Sequence, residues 1–124
     1  IAGTADTQLS NEEVQDIVGA MVGGNTESGI DVAYQDGDGT LDFQTQQKSI
    51  THDEASYAGG TLAIDASSVG IDISGGGVIV QVWDVSTSNH QQVMTNVVLD
   101  TNNNLIEIDL PAGDWRIAAQ GKRA

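Results

Sequence analysis

Hydrophobic residues change their period along this chain. Val14, Ile17, Val18, Met21 and Val22 recur at i, i+3, i+4, i+7 and i+8, which places them on one stripe of an α-helix. Ser10 stands three residues before Glu13, the spacing of a capping box in which the serine oxygen accepts from the Glu13 amide and the carboxylate returns to the Ser10 amide. Leu9 and Val14 can staple this helix start, Glu12, Glu13 and Asp16 complement its dipole, and Gly23 with Gly24 are expected to end it in a left-handed cap. From Ile30 the period drops to two. Ile30, Val32 and Tyr34 alternate, then Leu41 and Phe43, with Asp36-Gly37-Asp38-Gly39 between them, so residues 30–35 and 40–44 read as a β-hairpin.

So short a helix and hairpin lack the area to bury five apolar helix positions, so another copy must help. Residues 44–48 are polar and read as a linker, and residues 1–7, without periodicity, read as another. From about Thr51 short alternating runs follow: Leu62 and Ile64; Ile71 and Ile73; Val78, Val80 and Val82; then residues 91–99, 105–110 and 114–119. Turn-forming stretches at 75–77, 100–104 and 111–113 divide them. The fold class expected is mainly β: a short N-terminal amphipathic helix plus β-hairpin over residues 1–46, then a small antiparallel β-sandwich or open barrel over residues 47–124. Trp83 and Trp115 are the largest apolar bodies of the second part, read as core or as a subunit contact.

Composition narrows the function classes. Four Lys+Arg against 18 Asp+Glu leave a formal charge of −14, a field that repels phosphate backbones and anionic lipid heads, so neither nucleic acid nor membrane insertion is expected. No apolar run is long enough to span a bilayer. The chain opens at Ile1 without a signal pattern, which reads as a processed form or a piece of a longer protein. With no Cys, disulfides, thiolate zinc sites and Cys nucleophiles are all excluded. Fifteen Gly and an aromatic content of only 4% describe a turn-rich β protein with a lean core and a polar surface that carries little charge, suited to an extracellular or virion part.

Two stretches resemble a known family. Leu9-Ser10-Asn11-Glu12-Glu13-Val14-Gln15-Asp16-Ile17-Val18-Gly19-Ala20-Met21-Val22, with residues 25–32 and Tyr34-Gln35-Asp36-Gly37-Asp38-Gly39-Thr40-Leu41-Asp42-Phe43, is similar to the short module repeated in bacteriophage tail fibres, marine and cyanobacterial ones especially. Val78-Ile79-Val80-Gln81-Val82-Trp83-Asp84, residues 96–100 and Ala112-Gly113-Asp114-Trp115-Arg116-Ile117 are similar, more loosely, to a small β domain of tail-fibre and virion appendage proteins. The resemblance implies a homotrimeric structural fibre segment on the virion, outside the cell, working with other fibre proteins in host attachment. The apolar stripe would then form the trimer interface.

Candidate chemistry is sparse. Asp36, Asp38 and Asp42 fall near the spacing of an EF-hand loop, with Gly39 as its sixth residue, but Tyr34 then occupies position one and Thr45 position twelve, where a carboxylate and a bidentate Glu are needed. A hairpin turn is the reading, with these three acids as a weak Ca²⁺ candidate only. His52, Asp53 and Glu54 are adjacent, so on a strand they point to opposite faces, and His90 lies in a turn. Gly75-Gly76-Gly77 has no helix after it to hold a phosphate. The acids at Asp72, Glu107 and Asp114 lie on the outward phase and are expected to be solvated and unperturbed. No enzyme activity and no cofactor are expected. Contact with a cell-surface glycan or protein would come from polar loops, namely Ser86, Thr87, Ser88, Asn89 and His90, and Asn102, Asn103 and Asn104. The alternative classes are a subunit of an extracellular fibril or pilus that docks residues 1–7 on a neighbour's sheet edge, and a carbohydrate-binding or hydrolytic tip, which would need more aromatic residues.

Overall fold

The computed structural model describes residues 8–124. Residues 1–7, with the linker and docking roles expected of them, lie outside the described residues. The described chain is mainly β, its sheets are antiparallel, and it divides between Gln46 and Gln47 into two compact units.

The first unit holds α1 (Asn11–Val22), β1 (Ile30–Gln35) and β2 (Thr40–Thr45). The capping box forms in both directions, with the Ser10 amide 2.7 Å from Glu13 Oε2 and the Glu13 amide 3.1 Å from Ser10 Oγ. At the other end the expectation shifts by one residue. Gly23 is extended while its amide still donates to Gly19 O, and Gly24 carries the positive φ of +76°. The side chain of Asn25 donates to the carbonyl of Met21, covering another open acceptor of the last turn. In the hairpin, Val32 stands opposite Phe43 and Tyr34 opposite Leu41, which gives one apolar face; Asp31 opposite Gln44 and Ala33 opposite Asp42 form the other. Gly39, at φ +68°, closes the turn by donating to Gln35 O.

The second unit contains β3 (Gln47–Tyr57), β4 (Gly60–Asp65), α2 (Ala66–Val69), β5 (Ile79–Asp84), β6 (Gln91–Val93), β7 (Val97–Asp100), β8 (Leu105–Leu110) and β9 (Gly113–Lys122). One sheet has the order β3-β9-β5-β6 and the other β4-β8-β7, and no closed barrel forms. Val82, Trp115, Ile117 and Ala119 from the first sheet meet Ile64, Ile106, Ile108 and Leu110 from the second, with Ala66, Ile71 and Ile73 from the connecting segment, in a single core. Alternation explains the faces: β9 buries Trp115, Ile117, Ala119 and Gly121 and turns Arg116 and Gln120 outward.

Several sequence expectations change here. The polar run read as a linker is the end of β2 and the start of β3, with Gln46 alone between them, and β3 is an edge strand whose inward positions Lys48, Ile50, His52 and Glu54 are only half-buried. The run 91–99 is two strands in different sheets, β6 and β7, joined by a crossing at 94–96. Ile71 and Ile73 are buried as the alternation predicts, yet only Ile71 bridges a strand residue, to Arg123. Trp115 is buried, with its indole N–H donating to Pro111 O at 2.9 Å. Trp83 is half-buried on the outward phase beside Arg116 and Gln92, which takes it out of the core.

Candidate functional site

The helix meets its hairpin through a face that carries no large apolar side chain. Gly19 is buried against the Tyr34 ring, so close that a Cβ on Gly19 would stand 2.2 Å from Tyr34 Cδ1. Gln15 lies against Gly39, and the Tyr34 hydroxyl donates to Asp16 Oδ1 at 3.1 Å. Residues 12, 15, 16 and 19 share one side of a 3.6-residue helix, so the apolar stripe necessarily points elsewhere. Val14, Ile17, Val18 and Met21 are all exposed, Met21 to 70%, and Val22 is half-buried. On the hairpin Phe43 is 65% exposed. Among the described residues of this unit, no large apolar side chain is buried.

The acidic turn is arranged differently from an EF-hand. Asp38 Oδ1 accepts from both the amide and the hydroxyl of Thr40, at 3.2 and 2.6 Å, and Asp42 Oδ2 accepts from the Gln35 amide group at 3.0 Å. Asp36 instead joins Glu12 and Asp16, carboxylates one helical turn apart, and one oxygen from each of the three lies within 4.8 Å of the others. This is an oxygen set of the kind hard cations take, on exposed side chains. Partial burial, the hydrogen bond to Asp16 and the surrounding carboxylates push the Tyr34 phenol up from 10.0 to about 12. The sequence spacing placed Asp38 and Asp42 with Asp36, whereas the helix dock on Gly19 brings Glu12 and Asp16 there.

The two candidate receptor loops lie at opposite ends of the β unit. Residues 86–90 follow Asp84, which pairs with Trp115 near the start of β9. Asn102, Asn103 and Asn104 precede Leu105, which pairs with Asp65 beside α2, and β8 runs the roughly 20 Å between these ends. Ser86, Thr87, Ser88, Asn89 and His90 are all exposed. Asn104 is half-buried at φ +59°, its side chain donates to Ser67 Oγ and its carbonyl accepts from the Ala66 amide, so it braces α2 and is no free contact residue.

Several acids in the β unit serve as turn caps. Hydroxyl and amide donors hold three carboxyls below the usual range: Ser74 on Asp72, Ser86 on Asp84 and the Asn103 side chain on Asp100. Asp72 is therefore perturbed, against expectation, with Lys122 adding to the effect. Asp114 is half-buried and accepts from the Ser56 amide at 2.7 Å, while Glu107 is half-buried on β8. His52 and Glu54 share one face at 3.0 Å while Asp53 points to the other, where Arg116 grips it through Nε and Nη2. That pairing lowers the Asp53 carboxyl. A depression of about 280 Å³ beside the 86–90 loop is lined by Asp53, Arg116, Asp114, Val85 and Trp115.

No family model, curated protein or solved structure matches the chain.

Proposed function

We propose that this chain is a structural, non-enzymatic segment of a bacteriophage tail fibre or related virion appendage, a homotrimer outside the cell that supports attachment to the host surface. The observation that carries the reading is the stripe of Val14, Ile17, Val18 and Met21, exposed on a helix whose hairpin already has its contact at Gly19 and Tyr34. A monomer would leave these side chains in water, and each contributes about 1.5–3 kcal/mol when fully buried. Pooling three stripes supplies the core that one unit lacks. The tail-fibre module that about residues 9–44 resemble supports three as the number.

In this reading the β unit contributes shape, and the exposed loop of residues 86–90 faces the receptor, a glycan or a protein. Four of its carboxylates, Asp65, Asp72, Asp84 and Asp100, are engaged as caps on neighbouring turns, which suits a scaffold better than acid–base chemistry. The test is electron microscopy of virions with an antibody raised against this chain. Labelled appendages with threefold symmetry are expected; labelling of bacterial surface fibrils and none on virions would overturn the assignment.

A further inference from the structure

The two sheets of the β unit present outward faces of different electrostatic character. On β4, β7 and β8 the outward positions include Asp65, Asp100, Glu107 and Asp109, with no basic residue among them. On β3, β9, β5 and β6 the charged outward positions are Asp53, Asp114, Arg116 and Lys122, whose charges cancel, with Asp72 of the connecting segment adding one negative charge 3.5 Å from Lys122 Nζ. Asp53 and Arg116 neutralise each other directly, with Nε 2.7 Å from Oδ1. Half of the four basic residues of a chain of net charge −14 are thus spent on one face. Of the two sheet faces, that one lets identical, strongly acidic copies approach with less repulsion.

Shape and polarity agree with the charges. The middle of the face is a depression of about 350 Å³ with small Ala118 at its floor and Ser49, Thr51, Gln81 and Gln120 around it. Ile79 stands at its margin, 62% exposed, and the half-buried Trp83 continues the same strand. Met94, immediately after β6, is 94% exposed. We propose that the outward face of the four-stranded sheet is a contact surface for a second copy of this chain, with Ile79 of one copy entering the Ala118 depression of the next. A sheet of this width offers only about 400 Å² from strand spacing and rise, half the area a standard interface takes from each partner. The contact is accordingly weak between free chains and effective between copies already held together, which is where it rests on the helix-seam reading.

The chain has no Cys, so single cysteines report cleanly. Gln81→Cys and, as a second position on the same face, Thr51→Cys are compared with Ala63→Cys on the acidic sheet, each in the full chain with a short thiol cross-linker. Both first-face variants should cross-link at least tenfold faster than Ala63→Cys, and adding Ala118→Glu should remove the difference. Equal rates, or a faster Ala63→Cys, would overturn the proposal. Repeating the set with Ile17→Asp separates the two readings: the order of rates survives with lower absolute rates if both hold. Unchanged absolute rates with the order intact would count against the helix seam and leave the sheet contact standing.

Discussion

Tyr34 occupies the space that any side chain at position 19 would need. Its Cδ1, Cγ and Cε1 lie 2.2, 2.4 and 2.7 Å from where a Cβ on Gly19 would be, and its hydroxyl is tied to Asp16.

Gly19→Ala should therefore destabilise the helix–hairpin unit, although alanine favours helix by roughly 1 kcal/mol. The overlap forces the ring off its site at a cost of about 1–3 kcal/mol. Tyr34→Val removes the ring, and in that background Gly19→Ala should become neutral or stabilising. Chemical denaturation followed by helical circular dichroism reads both; a stabilised Gly19→Ala in the wild-type background would show that the close approach is absent in solution.

Alkali should loosen the same contact. The folded phenol of Tyr34 ionises at about 12 against 10.0 unperturbed, so its contribution is complete below about pH 10 and is lost as the pH rises through 12. Asp16→Ala removes both the hydrogen bond and its charge and leaves the burial, so tyrosinate absorbance should then show one phenol ionising earlier, though still later than an ordinary tyrosine. No movement of the titration on Asp16→Ala would contradict the assignment of the hydrogen bond.

Calcium should bind the Asp36–Asp42 turn weakly or not at all, since Asp38 and Asp42 already accept hydrogen bonds from Thr40 and Gln35. Calorimetry is expected to find no sub-micromolar site. A tight site abolished by Asp38→Ala would reverse this reading.

The two polar loops should respond differently to change. Replacing residues 87–90 with glycine and serine, with Ser86 kept because it caps Asp84, should leave thermal stability within about 0.5 kcal/mol, as for exposed positions, and reduce binding to host cells. Asn104→Ala should instead destabilise the β unit by about 1–2 kcal/mol, because it forces alanine to φ +59° and removes the brace on Ser67. The chain's two tryptophans, Trp83 and Trp115, both lie in this unit, so their fluorescence reports its unfolding alone. Host binding retained after the loop replacement would move the receptor contact elsewhere.

The parts of the fold legible in the sequence are those in which a local pattern and its tertiary setting agree. The Ser10–Glu13 box marks the start of α1, and the Leu105–Leu110 alternation matches β8 end to end. The helix dock was hidden because Gly19 contributes no side chain to an apolar pattern, so the stripe could be seen while the contacting face could not. β3 was hidden for another reason: its half-buried edge positions include Lys48, His52 and Glu54, so the alternation is not one of apolar against polar. In the run from Gln91, Val93 and Val97 look continuous in sequence, yet they belong to different sheets. The Glu12, Asp16 and Asp36 cluster depends on the unseen dock, so nothing local could announce it.

Sedimentation equilibrium of the full chain is the most direct test of the central claim, that three copies bury Val14, Ile17, Val18, Met21 and Val22 together. The wild type should sediment as a trimer. Ile17→Asp, which places a carboxylate in the seam at a cost of several kcal/mol (about 3 or more per trimer), should shift it to monomer while the tryptophan signal of the β unit stays native. A wild-type chain that is folded and monomeric at every concentration examined would contradict the account.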